Sequence, residues 1–267
     1  MLIEEIPIEY GNEIDVFKEK DILSTGDERL DEFLSLQRGI PIMIAGPAYT
    51  GKTTLAISLS LETLLKGGRV FYVDSEYGVI GSRVAQMCNV RRMSLDLVKR
   101  RMRILRINEL NELSKYLKYA CAEYDLVVID SISRLILKSS RASTNNLESL
   151  ERLIAKAYGI LCECVATLAE RNRTLVVVNE IIPKAESGEA FYTLKVSLAR
   201  LAVLTKIIVC MIMKEGKRFL YLERHPFKAS VYEEPVFIEY RITGKGLEYV
   251  GKAYVKKGVV RYHVDIY

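Results

Sequence analysis

The sequence predicts an α/β fold: a mainly parallel sheet with helices on both faces, continued at its C-terminal edge by antiparallel strands. Three observations predict it. Short runs without charge, such as Leu126-Val127-Val128-Ile129, read as strands buried on both faces. Segments with apolar residues at helical spacing alternate with them. From Lys206 onward the helical spacing disappears, and strands joined by tight turns follow.

The elements are predicted as follows. Residues 41–45 are an apolar strand, and 53–65 a helix stopped by Gly67-Gly68. Residues 70–73 read as a strand, 82–88 as a short helix and 102–106 as a strand. A helix spans 108–123, with Asn108 as its N-cap. Residues 126–129 form a strand, 146–170 a long amphipathic helix, and 174–178 a β-branched strand. Strands at 207–213, 218–222, 236–242, 253–255 and 259–264 close the chain, with turns at Glu215-Gly216-Lys217 and Lys257-Gly258. No linker marks a second domain. The expected division is an N-terminal segment, 1–21, as a possible subunit-contact strand, and one domain over 22–267.

Composition narrows the function classes. A hydrophobic content of 49% with 27% charged residues fits a globular domain, and no apolar stretch approaches a bilayer's thickness. Five cysteines with no Cys-x-x-Cys pair, and no signal-peptide pattern, predict a reduced, cytoplasmic protein without a membrane partner. Cys162 and Cys164 fall on different faces of one helix, which argues against a shared zinc. The net charge of +5 comes from one window: removing 91–106 leaves 32 of the 39 basic and 33 of the 34 acidic residues.

The motif with the most chemical content is Gly46-Pro47-Ala48-Tyr49-Thr50-Gly51-Lys52-Thr53, followed by Thr54, between a strand and a helix. Such a loop turns backbone N–H groups toward phosphate, and the helix N-terminus adds its dipole. Lys52 is expected to reach the β- and γ-phosphates and the Thr53 hydroxyl to ligate Mg²⁺. Asp130 ends a strand at the sheet's carboxyl edge, where it suits the metal's water shell. Glu76, after the strand 70–73, is the candidate to orient or deprotonate an attacking water. Asn179 and Glu180 follow a third strand at the same edge.

These residues resemble the RecA-type recombinase superfamily, a RecA-like P-loop NTPase core, and within it the archaeal RadA/RadB branch. The run Leu23-Ser24-Thr25-Gly26-Asp27-Glu28-Arg29-Leu30-Asp31 resembles the signature before the phosphate loop, and Val73-Asp74-Ser75-Glu76 the strand end carrying the catalytic glutamate. Leu126 to Ser131 resembles the Walker B strand. Leu222-Glu223-Arg224-His225 and Tyr240 to Leu247 resemble the closing strands of the RadB branch. The resemblance covers about 22–250. It implies ATP and Mg²⁺ as ligands, Lys52 and Glu76 as catalytic groups, Arg83 stacked on adenine, and Glu180 and Arg224 as γ-phosphate sensors.

Departures from the pattern are informative. The residues before Gly46 leave no room for the helical DNA-binding domain of RadA-type recombinases. Glu180 stands where the family has glutamine, and a carboxylate there repels phosphate unless paired or protonated. Pro226 stands at an arginine position and Arg224 at a lysine, so a neighbouring subunit offers one cation in place of two. No Phe-x-x-Ala polymerisation motif is present. Two connections are candidates for DNA contact: 138–145, with Lys138 and Arg141, and 181–195, with Lys184, Phe191, Tyr192 and Lys195.

The implied function is an ATP-binding recombinase paralogue of low turnover that modulates homologous recombination. Its implied partners are the main RadA-type recombinase or other paralogues, single-stranded DNA and further copies of itself. A KaiC-like signalling ATPase without DNA function, and a nearly inactive ATP-dependent interaction module, share the same core. In the acidic N-terminal segment Leu2, Ile3, Ile6, Ile8 and Tyr10 need a surface to cover, on a neighbouring protomer or on the chain's own sheet.

Overall fold

A computed structural model describes residues 22–77, 80–142, 147–181, 203–228 and 236–254. Nine strands form one sheet in the order β3-β2-β4-β5-β1-β6-β7-β8-β9. β1 (Ile42–Gly46), β2 (Val70–Asp74), β3 (Met102–Arg106), β4 (Leu126–Asp130), β5 (Thr174–Glu180) and β6 (Ile207–Lys214) run parallel. β7 (Lys217–Arg224), β8 (Val236–Ile242) and β9 (Leu247–Tyr254) continue the sheet antiparallel.

The strand period of two explains the two cores. Ile42 and Ile44 of β1 enter a cluster with Leu55, Leu59 and Leu61 of α2 (Lys52–Leu65). Met43 and Ala45 point the other way, to Leu113 and Leu117 of α5 (Leu110–Glu123) and Leu161 of α7 (Leu147–Ala169). Every residue of β1, β2 and β4 is buried, as their apolar runs require, including Asp74 and Asp130 at the ends of β2 and β4.

Helix α1 (Glu28–Leu34) accounts for the signature before the phosphate loop. The Asp27 carboxylate accepts from the N–H groups of Arg29 and Leu30 at 3.1 Å, an N-cap. Asp31 accepts from the Ser24 hydroxyl at 2.5 Å and from the Thr25 N–H at 2.6 Å, folding the preceding loop onto the helix. Asp27 also accepts from the Tyr249 N–H at 3.0 Å, which docks β9 against this end.

Several expectations need correction. Helix α3 runs Ile80–Arg91, longer than the predicted 82–88, and α4 (Leu95–Arg101) lies inside the basic window. Ser94 caps α4, its hydroxyl accepting from the Asp96 N–H at 3.2 Å, with Lys99, Arg100 and Arg101 in the last turn. Asn108 is not the cap of α5: Glu109 holds that position, and Asn108 instead accepts from the Lys138 ammonium at 3.0 Å. The connection 138–145 is not a loop at its start. Helix α6 (Ile132–Ala142) places Ile132, Leu135 and Ile136 in the core at helical spacing and carries Lys138 and Arg141. β9 begins at Leu247, six residues before the predicted 253–255; its edge position leaves the alternation weak. The expected strand 259–264 and the turn Lys257-Gly258 lie outside the described residues, as do 1–21.

The basic window is not one face. Arg91 turns inward to Glu62 at 2.6 Å and donates to the Lys245 carbonyl at 2.6 Å. Arg101 donates to the Gly67 carbonyl, and Arg106 lies 3.8 Å from the buried Asp74. Lys99, Arg100 and Arg103 remain exposed along α4 and β3.

Candidate nucleotide site

The phosphate loop leaves β1 at its carboxyl end and enters α2 at Lys52. Tyr49 at φ 64° and Gly51 at φ 96° turn the chain back on itself. Gly46 admits no side chain, because a Cβ there would collide with the Met211 carbonyl of β6. The Thr50 hydroxyl and the Lys52 ammonium both donate to the Pro47 carbonyl, at 2.9 and 2.7 Å. From outside, Arg218 of β7 donates to the Tyr49 carbonyl at 3.2 Å, and the Tyr240 hydroxyl of β8 to the Thr50 carbonyl.

A cavity of about 520 Å³ opens over this loop. Ala48, Tyr49, Gly51, Lys52, Thr53 and Thr54 line one side, and Glu76, Asp130, Glu180, Arg218 and Ile242 the other. The sequence-predicted Lys52, Thr53, Glu76, Asp130 and Glu180 therefore meet in one place, although they come from the ends of four different strands. Burial pulls the Lys52 ammonium below its ordinary range, while Glu180, Glu76 and Asp130 work in the opposite direction. Glu180 thus faces a cation, and its backbone N–H is fixed on the Ser133 hydroxyl at 3.0 Å.

Asp130 is buried, and burial pushes its carboxyl from an ordinary 3.8 up to about 6. Hydrogen bonds from the Tyr72 and Thr53 hydroxyls act against that rise, as does Lys52, and Glu76 adds to it. The Tyr72 bond measures 2.7 Å and crosses from β2 to β4. Tyr72 was not foreseen as a site residue: it reads as one more apolar position of a buried strand.

Three serines also escaped the sequence reading. The Ser75 N–H donates to the Asp130 carbonyl at 2.8 Å, and the Ser131 N–H to the Ser75 hydroxyl at 2.8 Å. The Ser131 hydroxyl then donates to Glu76 at 2.9 Å. Ser133 donates to Ser131 at 3.3 Å. The ends of β2, β4 and β5 are joined through these hydroxyls, so the exposed Glu76 is aimed by a partner 55 residues away. Among the described residues, buried Asn179 has no hydrogen-bond partner on either amide atom.

Other expected residues lie elsewhere. Arg83 does not line the phosphate cavity; it donates to the Thr243 carbonyl at 2.7 Å, next to Ile242, which does. Arg224 pairs with Ile208, at the opposite end of the strands from the phosphate loop, and donates to the Thr205 carbonyl. It is not a sensor within its own chain's cavity. Lys138 donates to the Ser75 carbonyl at 2.6 Å and stands 4.3 Å from the centre of the Tyr77 ring, so its charge is turned toward the end of β2. Lys184, Phe191, Tyr192 and Lys195 lie outside the described residues, as does the side chain of Arg141.

The donor set suits a magnesium nucleotide. The Thr53 hydroxyl hydrogen-bonds the Asp130 carboxylate at the foot of the loop, and hard oxygen ligands of this kind favour Mg²⁺. Among the described residues no cluster of His, Cys, Asp and Glu forms a separate metal centre, and no helix is long and apolar enough to cross a membrane.

The parallel sheet, the phosphate loop after β1 and the carboxylate ending β4 together define a RecA-like P-loop fold. A family model described as an AAA domain matches residues 29–168. The DNA repair and recombination protein RadB of Pyrococcus furiosus is 30% identical over 236 residues, 85% of this chain and 96% of that protein. RadB of Thermococcus gammatolerans is 29% identical over 85% of this chain and 98% of its own. Protein RecA of Sulfurimonas denitrificans is 30% identical over 60% of this chain and 45% of its own. A crystal structure of the RadB recombinase superposes with a TM-score of 0.64 at 27% identity, covering 86% of this chain and all of that one. The chain belongs to the RecA-type recombinase superfamily, in its RadA/RadB-like branch, a nucleotide-using family.

Proposed function

We propose that this chain is an ATP- and Mg²⁺-binding RadB-like paralogue that modulates homologous recombination and DNA repair, with slow hydrolysis and weak binding of single-stranded DNA. The observation that carries this reading is the convergence of Lys52, Thr53, Glu76 and Asp130 on one cavity over the phosphate loop. The loop from Gly46 to Thr54 cradles the phosphates, and Lys52 gives up its bond to Pro47 to reach the terminal ones. Thr53 and Asp130 would hold Mg²⁺, which would supply neutralisation of phosphate charge. Glu76 receives the attacking water's proton on the oxygen that Ser131 leaves unused. Arg83 serves the adenine, and Glu180 stands at the γ-phosphate. Arg224, at the far edge of the sheet, acts if at all on a neighbouring protomer's nucleotide.

The names of the RadB relatives support a role in DNA repair and recombination, and we assign the chain to the cytoplasm, with a main RadA-type recombinase or other paralogues as partners. We assign residues 22–267 to the ATPase domain and 1–21 to subunit contact, with self-association as a further consequence. DNA contact falls to Arg141 of α6 and to 181–195, with Lys138 a weaker candidate because its ammonium is engaged. Contacts of Lys and Arg to phosphate make the binding sequence-independent and salt-dependent. With about three phosphate contacts, affinity for single-stranded oligonucleotides falls more than about tenfold from roughly 50 to 200 mM salt. Fluorescence anisotropy measures this. An absence of binding at low salt, or affinity indifferent to salt, removes DNA from the function and leaves the signalling or interaction reading.

A further inference from the structure

We propose that Arg218 is a second phosphate cation, supplied to the nucleotide by the same chain that carries the phosphate loop. The proposal rests on reading the cavity as a nucleoside-triphosphate site. Five charged side chains line that cavity: Lys52 and Arg218 against Glu76, Asp130 and Glu180. Without Arg218, a polyphosphate would meet three carboxylates and one ammonium. That ammonium is engaged by the Pro47 carbonyl at 2.7 Å.

The strand period aims Arg218 at the site. Leu222 and Leu220 of β7 are buried in the core cluster beneath α2, and Arg218 is the next residue on the same face. It pairs with Tyr240 of β8, whose hydroxyl holds the Thr50 carbonyl. Ile242, two residues further along β8, presses on Gly51. The antiparallel extension thus grips the phosphate loop from outside, and Arg218 is its charged member. The guanidinium uses Nε to hold the Tyr49 carbonyl at 3.2 Å, and among the described residues its two Nη groups have no partner. A guanidinium anchored through one nitrogen keeps a planar pair of donors for phosphate oxygens.

Arg224 lies at the opposite end of the strands, so within one chain Arg218 is the cation that β7 brings to the phosphate loop. Arg218 offers the cavity a cation from the same chain as the phosphate loop.

The test is equilibrium titration of wild type, Arg218→Gln and Arg218→Lys with ATP and with ADP, in Mg²⁺, followed by calorimetry. Gln keeps a donor for the Tyr49 carbonyl and removes the charge; Lys keeps the charge. We expect Arg218→Gln to bind ATP about 10- to 100-fold more weakly, from the range for hydrogen bonds to charged groups, with a smaller loss for ADP. Arg218→Lys should recover part of the loss, because it keeps the charge without the planar donor pair. Gln equal to wild type overturns the proposal. So does a loss that is the same for ATP and ADP and is not recovered by Lys, because the guanidinium then only shapes the loop. If wild type binds no nucleotide, the site reading itself fails. Circular dichroism of each variant confirms the fold before titration.

Discussion

Lys52→Ala is expected to weaken Mg²⁺-ATP binding by about 100-fold or more, the effect of removing a charge-assisted contact to phosphate from a desolvated site. Lys52 is buried at the foot of the cavity, where its neighbours are Glu76, Asp130 and Glu180. Removing its ammonium leaves those three carboxylates facing the polyphosphate with only Arg218 in compensation. The loss therefore includes repulsion as well as the missing bond. Titration with ATP measures it, with thermal melting to confirm that the variant is folded. Unchanged affinity in a folded variant would mean that the loop is not the nucleotide site.

In the metal-free protein, Asp130→Asn should raise stability while abolishing Mg²⁺-dependent binding. The folded carboxyl keeps its proton up to about pH 6, whereas its ordinary value is 3.8. The unfolded chain therefore ionises first as pH rises, and folding stability falls between those two values and stays lower above them. A shift of about two units corresponds to roughly 3 kcal/mol, an upper figure for the penalty at neutral pH. Asparagine is never charged, so the variant gains at pH 8 most of what Asp130 costs there and little near pH 4. Melting temperatures at both pH values test this. Equal gains at both would show that ionisation of Asp130 is not the cause. The same variant loses the carboxylate at the metal position, so the site trades stability for function.

How far the sequence reaches depends on whether a feature is local. The phosphate loop is written in eight consecutive residues, and its strand and helix flank it directly. Asp130 and Glu76 were legible because one ends and the other closely follows an apolar strand run, and parallel strands bring their carboxyl ends to one edge. Helix α6 was also locally encoded, by Ile132, Leu135 and Ile136 at helical spacing, and α4 by its Ser94 cap; both were obscured by their polar and basic residues. Tyr72, Ser75, Ser131, Ser133 and Arg218 were illegible for a different reason. Their partners are 55 to 58 residues away for Ser131 and Tyr72, and 169 away for Arg218. Only the sheet order brings them together. Arg224 shows another limit: the antiparallel direction of β7 carries it to the end of the strands away from its own phosphate loop, and a role on a neighbouring subunit's nucleotide is not written within one chain.

The central claim is that this cavity turns over ATP slowly, with Glu76 as the group that activates water. The most direct measurement is the hydrolysis rate of wild type and Glu76→Gln at saturating Mg²⁺-ATP, with and without single-stranded DNA. Glutamine keeps the shape and the bond from Ser131 but cannot take a proton, so turnover should fall by about 100-fold or more while ATP still binds. DNA should change the wild-type rate little, because the resemblance implies that Glu180 stands at a glutamine position that couples the γ-phosphate to DNA. Equal rates in the two proteins, both above background, would contradict the account.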